Sequence, residues 1–181
     1  MLEAVAAAVS DKGYARVTVA DVIARAGVSR ETFYEQFEGK EDAFLAALDA
    51  GADMLVRILS AAIADPAEDP LERLDHVLEV YLTTLAAAPE FAKTFLIDAY
   101  GAGAAATARR IELQRLFVEL IARVLELSPE NPDDAFACEA LVAAVSSLAT
   151  SRIGTGRAAE LPELRVPLIG LARRLSLVVA A

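Results

Sequence analysis

The run of residues 18–40, TVADVIARAGVSRETFYEQFEGK, encodes two short helices that meet at a tight turn. Thr18 is a good N-cap residue, and apolar residues follow it at helical spacing: Val19, Val22, Ile23 and Ala26. Gly27 stands at the turn, because a residue without Cβ adopts a left-handed backbone most easily. Ser29 can cap the second helix. This order predicts a helix-turn-helix, the unit that places a recognition helix in the major groove of DNA.

The second helix of this run has an apolar side and a polar side. Phe33 and Phe37 lie four residues apart, and we expect both rings to pack inward. The polar residues occupy the flanks and the outer side, where a groove-reading helix makes its contacts: Arg30, Glu31, Thr32, Tyr34 and Gln36. The rest of the chain reads as an apolar helical body, so the sequence predicts a DNA reader joined to a ligand-controlled domain.

The segments DVIARAGVS and AGVSRETFYEQFEGKEDAF resemble the helix-turn-helix of the TetR family of repressors. The resemblance is specific over about residues 13–44 and weak beyond them. It implies an all-α homodimer, in which a three-helix reader in residues 1–45 precedes a helical bundle in residues 46–181 that binds a small molecule and dimerises. The reader would hold a palindromic operator in double-stranded DNA, and the small-molecule effector would release it.

The resemblance also implies roles for single residues of the reader. Thr18, Ser29, Tyr34 and Lys40 match phosphate contacts, Arg30, Glu31 and Thr32 stand where base edges are read, and Gln36 completes the predicted DNA-binding set. Arg30 is the strongest candidate for base readout, since arginine can donate two parallel hydrogen bonds to a guanine edge. Glu31 replaces the small residue often found there. Glu31 either accepts a hydrogen bond from a cytosine amino group or stabilises the helix N-terminus.

Two features weigh against strong DNA binding. Family members usually begin with a polar, often basic arm, whereas residue 1 here falls inside the predicted first helix. Either the start is truncated or the arm is lacking, and we expect weaker binding without its minor-groove contacts. The net charge is −10, and residues 1–42 hold five basic and eight acidic side chains. Because nucleic-acid binders commonly show a basic footprint, the alternative is a protein-interaction module on a helix-turn-helix scaffold that does not bind DNA.

Apolar periodicity and cap signals predict nine helices and no strands. The predicted helices cover residues 2–12, 18–26, 29–37, 40–64, 70–87, 89–99, 105–127, 132–152 and 162–179. Asp69-Pro70 and Asn131-Pro132 are strong start signals, since a capping side chain precedes a proline at the first helical position. Residues 154–161 are predicted as a loop, and Pro167 as a kink or the true first turn of the last helix.

A scatter of apolar and aromatic residues in the middle helices predicts a ligand cavity. In the family such residues line a pocket beside the connecting helix, and the set here is Met54, Ile58, Tyr81, Leu85, Phe91, Phe95, Tyr100, Phe117 and Ile121. Each residue alone reads better as ordinary core, but together they predict a mostly apolar cavity for a hydrophobic or weakly polar ligand rather than an anion. Arg109, Arg110 and Arg115 are interpreted as a solvated helix face.

The last two long helices carry broad apolar stripes, which predict a two-fold dimer interface of four helices. The stripes are Leu141, Val145, Leu148 and Ala149 in one helix, and Leu168, Leu171, Leu175 and Val178 in the other. The alternative is that both stripes are core of one chain. A two-fold dimer would set two recognition helices about 34–36 Å apart, on successive major grooves.

The remaining sequence features exclude several classes of protein. Apolar residues make up 56% of the chain, but Glu139, Arg152, Arg173 and Arg174 interrupt the candidate membrane spans. The single cysteine, Cys138, permits no internal disulfide and fits a cytoplasmic protein. His76 has no second metal ligand nearby, and no phosphate loop or nucleophile elbow occurs. We therefore expect no enzyme activity, no metal, no cofactor and no membrane partner.

Overall fold

A computed structural model describes residues 1–63 and 69–175, and this part of the chain is helical, as predicted, with no strand. Its nine α-helices are α1 (Leu2–Lys12), α2 (Val19–Ala26), α3 (Arg30–Gln36), α4 (Lys40–Ile63), α5 (Pro70–Ala87), α6 (Pro89–Leu96), α7 (Ala104–Val124), α8 (Pro132–Gly154) and α9 (Arg165–Arg174). Two short 3-10 helices occur at Asp98–Gly101 and Ala158–Leu164.

The proline-containing start signals of α5 and α8 are confirmed. The Asp69 carboxylate accepts a hydrogen bond from the backbone N–H of Leu71 at 2.7 Å. The Asn131 side chain accepts one from the N–H of Asp133 at 3.1 Å. Each proline stands in the first turn, where no intrahelical hydrogen bond is lost.

The segment between α8 and α9 differs from the prediction. A 3-10 helix forms at Ala158–Leu164 where a loop was predicted, and α9 begins at Arg165 instead of near residue 162. Leu161 and Leu164 are both buried, and residues three apart share one side of a 3-10 helix. Their burial explains why this segment is ordered against the bundle. Pro167 lies in the first turn of α9, so it does not kink the helix.

Three expectations fall on residues outside the described ranges. They are the end of the fourth predicted helix near residue 64, the end of the last one near residue 179, and the place of Val178 in the apolar stripe.

The buried residues form two hydrophobic clusters. The first cluster joins α1, α2 and α3 to the first half of α4, around the fully buried rings of Phe33 and Phe44. It also takes in Ala99, Ala102 and Ala106, which lie beyond the predicted reader. The second cluster joins the end of α4 to the later helices. The division at residue 45 stays a prediction, and the first cluster draws residues from both sides of it.

Among the described residues, α8 alone is long and apolar enough to cross a membrane by length and composition. The core helix of a helical bundle meets the same two criteria, and α8 packs against α6, α7 and α9. This single helix is therefore weak evidence for membrane insertion.

Candidate DNA-reading surface and ligand cavity

The local structure of the reader follows the predicted capping pattern. The Thr18 hydroxyl accepts from the N–H of Asp21 at 3.3 Å, and the Asp21 carboxylate accepts from the N–H of Thr18 at 2.9 Å, so a complete capping box opens α2. Gly27 ends α2 in the left-handed region, at φ 67°. Ser29 caps α3 by accepting from the N–H of Thr32 at 3.0 Å. These caps fix where the recognition helix α3 begins.

The inward and outward sides of α3 are also as expected. Phe33 is fully buried, and its ring centroid lies 5.4 Å from that of the half-buried Phe37. Arg30 is exposed, and Tyr34 is 46% exposed. The Arg30 guanidinium lies 5.4 Å from the Tyr34 ring centroid and donates a long, 3.5 Å hydrogen bond to its hydroxyl. This neutral partner leaves the Arg30 charge on the surface.

The other predicted DNA-binding residues differ in exposure. Thr18, Ser29, Glu31 and Gln36 are exposed, whereas Thr32 and Lys40 are half-buried. The hydroxyls of Ser29 and Thr32 are 2.9 Å apart and hydrogen-bonded to each other. The roles of these residues toward DNA stay predictions.

Lys40 and Thr18, like the other two predicted phosphate contacts, already have partners inside the protein. The Lys40 ammonium donates to the carbonyl of Tyr14 at 3.0 Å and lies 4.4 Å from the centroid of its ring. The Thr18 hydroxyl donates to the Asp21 carboxylate at 2.8 Å. Hydrogen bonds from Lys12 and then from Thr18 lower the Asp21 pKa to about 2. An ionised carboxylate beside Thr18 opposes an approaching phosphate, so Thr18 is the weaker of the two candidates.

Basic residues of the reader are partly neutralised by its own acids. Lys12 pairs with Asp21 at 2.6 Å, and Arg25 pairs with Asp11. Arg16 instead donates to the carbonyl of Lys12. The unpaired charges that could approach DNA are thus fewer than the sequence count suggests.

An apolar cavity lies between α4, α5, α6, α7 and α8. Its volume is about 110 Å³, well above the roughly 10–15 Å³ at which a cavity can hold one water molecule. Its lining is Leu48, Gly51, Ala52, Leu55, Leu59, Val77, Leu78, Tyr81, Leu85, Phe91, Ala92, Phe95, Leu96, Ala99, Arg110, Leu113, Gln114, Phe117, Leu120, Ile121, Leu141, Val142, Val145 and Ser146. A cavity with this lining suits an apolar ligand.

Six of the nine predicted pocket residues line this cavity: Tyr81, Leu85, Phe91, Phe95, Phe117 and Ile121. The other three do not. Met54 is 52% exposed, Tyr100 is 59% exposed, and Ile58 is half-buried outside the lining. On α4 the lining residues are 48, 51, 52, 55 and 59, which share one helical face, so positions 54 and 58 point elsewhere.

The interpretation of Arg110 as part of a solvated helix face is wrong. Arg110 lines the cavity, and its guanidinium donates to the carbonyl of Phe95 and to the hydroxyl of Ser146, both at 3.1 Å. Arg109 pairs outside with Asp49 and Glu112, and Arg115 is exposed. Three neighbouring arginines therefore have different surroundings, which the sequence alone did not distinguish.

Gly51 is a lining residue that sequence analysis missed. A Cβ at this position would lie 2.0 Å from Cζ of Phe91 and 2.2 Å from Cζ of Phe95. The two rings, whose centroids are 4.5 Å apart, therefore rest directly on the backbone of α4. A glycine inside a long helix was the available signal, since glycine costs helix stability unless something approaches closely.

The predicted dimer residues separate into two groups. Leu141, Val145 and Leu168 are buried within one chain, so these three side chains are core residues rather than interface residues. Leu148 is 37% exposed, and Leu171 and Leu175 are half-buried. The same two helices also expose Phe136 at 71% and Val166 at 73%. The sequence stripes mixed the inner and outer faces of α8 and α9, and dimerisation itself stays a prediction.

Comparison with known proteins identifies the fold and the reader. Residues 1–47 match the model of bacterial regulatory proteins of the tetR family. No curated protein matches the chain. The structure is similar to the fatty acid degradation regulator FadR from Bacillus halodurans, with 19% identity, a TM-score of 0.80, and coverage of 99% of this chain and 97% of that one.

Two further structures have the same architecture. FadR from Bacillus subtilis in complex with stearoyl-CoA has 16% identity and a TM-score of 0.82, over 98% of this chain and 97% of that one. A TetR-like transcriptional regulator from Rhodococcus sp. RHA1 has 25% identity and a TM-score of 0.73, over 96% and 91%. Residues 1–47 therefore carry the domain of bacterial regulatory proteins of the tetR family, and the chain has the fold of TetR-like transcriptional regulators.

Proposed function

We propose that this regulator is a homodimeric, cytoplasmic repressor, and that a mostly apolar small molecule in the cavity relieves its binding to a palindromic operator. The observation that carries the proposal is the position of α4. Phe44, in its first half, packs in the core of the reader, and Leu55, in its second half, lines the cavity. Leu48 does both. We propose no catalytic activity.

The lining of the cavity supports a ligand with a long apolar part. Hydrocarbon in contact with such a lining gains about 0.8 kcal/mol for each buried CH₂ group. The similar regulator from Bacillus subtilis was solved with stearoyl-CoA, which carries a long hydrocarbon chain. At 16% identity that likeness supports the fold, and the apolar lining of this chain's own cavity supports the ligand class.

Helix α6 provides a second route between ligand and reader. Phe91 and Phe95 on one side of α6 line the cavity. On its other side, the buried Thr94 hydroxyl donates to the carbonyl of Ala6 at 3.0 Å, and the Lys93 ammonium donates to that of Ser10. Both carbonyls belong to α1. A ligand that displaces the two rings would therefore move α1 together with α6, and so change the spacing of the two recognition helices.

The DNA-binding part of the proposal is tested by selecting duplexes from a random pool. We expect a palindrome with half-sites about one helical turn apart. Arg30→Ala should cost roughly 1–3 kcal/mol and relax preference at one base pair, whereas Tyr34→Ala should weaken all sequences about equally. Arg16→Ala, which removes an exposed arginine outside α3, is the matched control. Selection of no sequence would instead favour a protein-interaction module, for which the acidic balance of the reader argues.

The ligand part is tested with the selected operator by fluorescence anisotropy. The ligands are four amphiphiles that share a dodecyl tail: dodecanol, dodecanoate, dodecyl phosphate and dodecyltrimethylammonium. Each should release the DNA at the concentrations at which it displaces the apolar dye Nile red from the protein. Displacement of the dye without release of DNA would refute ligand control while leaving DNA binding intact.

A further inference from the structure

The wall of the cavity contains one cation that no carboxylate neutralises. Arg110 projects from α7 among apolar neighbours, and its terminal nitrogens donate only to the neutral oxygens of Phe95 and Ser146. Its Nε is buried and has no hydrogen-bond partner. Across the described ranges, no acidic side chain lies within ion-pair distance of Arg110.

The neighbouring arginine shows how different this arrangement is. Arg109 donates to Glu112 and Asp49, and these two hydrogen bonds raise the pKa of Arg109 above its usual value. A guanidinium held between apolar groups without a counter-ion is costly, and the cost is recovered when an anion binds. Arg110 therefore has the surroundings of a ligand contact, and Arg109 has those of a structural ion pair.

The position of Arg110 places the charge at the edge of the cavity. Its guanidinium lies 4.6 Å from the ring centroid of Tyr100, which is exposed. Its positive charge also interacts with Tyr81, a lining residue. Desolvation raises the pKa of Tyr81 to about 12, against the opposing effect of Arg110, so this hydroxyl stays protonated and can donate. Arg110 and Tyr81 are thus two of the four polar residues, with Gln114 and Ser146, in a lining that is otherwise apolar.

We propose that Arg110 forms an oxyanion subsite, and that the effector is a single-chain amphiphile with a hydrocarbon tail in the cavity and a carboxylate or phosphate head on Arg110. The proposal deepens the proposed function and rests on it. It replaces the expectation from sequence that the cavity avoids anions. The net charge of −10 repels anions at long range, so any preference for them must come from a local site.

The test compares four ligands that share a dodecyl tail: dodecanoate, dodecyl phosphate, dodecanol and dodecyltrimethylammonium. Each displaces Nile red from the full chain at concentrations below micelle formation. We expect the better anion to bind about tenfold or more tightly than dodecanol, since charge-assisted hydrogen bonds are roughly twice as strong as neutral ones. The cation should bind most weakly. Whichever of the two anions binds more tightly identifies the head group.

The variant Arg110→Met keeps an apolar side chain of similar length and removes the charge and the donors. It should lose the preference for the anion while binding dodecanol as before. Arg115→Met, on the exposed side of the same helix, should retain the preference. If Arg110→Met fails to fold in a thermal melt, Arg110→Lys keeps the charge without the two-pronged geometry and should retain part of the preference.

The outcomes separate the two proposals. If none of the four ligands binds, the proposed ligand function fails. If all four bind equally, or if Arg110→Met keeps the anion preference, the oxyanion subsite is overturned and an apolar effector remains. If the cation binds most tightly, the assigned charge of the subsite is wrong.

Discussion

Gly51 is the position at which a single methyl group should disturb the cavity most. A Cβ there would lie 2.0 Å from the ring of Phe91 and 2.2 Å from that of Phe95. Non-bonded carbon atoms prefer roughly 3.5–4.0 Å, so Gly51→Ala requires the rings to retreat by about 1.3–2 Å. Both rings line the cavity, and the open direction is inward. We therefore expect the variant to fold, with its cavity partly filled by its own side chains.

Two opposing contributions set the magnitude of the effect on stability. Alanine inside a helix is about 0.8–1.0 kcal/mol more favourable than glycine. Overpacking typically costs about 1–3 kcal/mol, and the adjacent space should keep the cost near the lower end. The free energy of unfolding should thus fall by about 0–1 kcal/mol. Ligand binding should suffer more, because displacing roughly two methylene groups from the cavity loses about 1.6 kcal/mol, or more than tenfold in affinity.

Urea denaturation and Nile red displacement by dodecanol measure the two quantities on the same samples. The double variant Gly51→Ala/Phe95→Leu is the control, since the shorter side chain should give back much of the lost affinity. The effects of the two substitutions on the free energy of ligand binding should differ from additivity by more than about 0.5 kcal/mol. If Gly51→Ala raised the free energy of unfolding by about 0.8–1.0 kcal/mol, the full gain expected from helix propensity, and left the affinity for dodecanol unchanged, the close approach of the rings to α4 would be refuted.

The remaining predictions concern the cap of α2, the outer face of α8 and the buried thiol. Thr18→Ala should lower the free energy of unfolding by about 1 kcal/mol in urea, since it removes the N-cap of α2. Because the Asp21 pKa is lowered to about 2 from 3.8, its stabilisation is complete above pH 3.8 and is lost as pH falls toward 2. Asp21→Asn should therefore show a shallower loss of stability over that interval. Leu148→Glu should give a monomer in light scattering, and a dimer of this variant would argue against a dimer interface at Leu148. Leu141→Ala should instead lower the free energy of unfolding by about 2–5 kcal/mol, because Leu141 is a core residue. Burial raises the pKa of the Cys138 thiol, so a thiol reagent should label it in urea but not in the native protein, and rapid native labelling would contradict its burial.

The reader could be predicted almost to the residue because its determinants are local. Thr18 and Ser29 cap the helices that follow them, and each cap depends on contacts within three residues. Gly27 adopts the left-handed turn that only a residue without Cβ adopts at little cost. The all-helical body was predictable for the same reason, since proline and capping side chains mark the starts of α5 and α8.

The cavity and the outer face were predicted less well because they depend on how helices are rotated against one another. Met54 has the character of a pocket residue, but the face of α4 that meets the cavity is fixed by Gly51 and Leu55. Leu141 and Leu148 are both apolar and seven residues apart, yet only Leu141 is buried in the chain. Sequence spacing shows that a helix has an apolar side, whereas tertiary packing decides which partner that side meets.

Charge was the least predictable property. Arg109 and Arg110 are adjacent in sequence, but a helix turns about 100° between them. One reaches Asp49, which lies 60 residues away in the chain, and the other reaches Ser146 on α8. No local pattern encodes these partners, so the cation in the cavity was missed.

The energetics of the proposed control depend on how far the cavity closes in the DNA-binding conformation. Moving a two-state equilibrium from 1:99 to 99:1 requires about 5.5 kcal/mol of differential binding. At about 0.8 kcal/mol for each CH₂ group, that corresponds to burial of roughly seven methylene groups in one state and not in the other. A ligand that fits both states equally shifts nothing. The DNA-binding state must therefore exclude most of a dodecyl tail. The rings of Phe91 and Phe95 are the groups able to exclude it, because they line the cavity, rest on a glycine and share α6 with the buried hydrogen bond from Thr94 to α1.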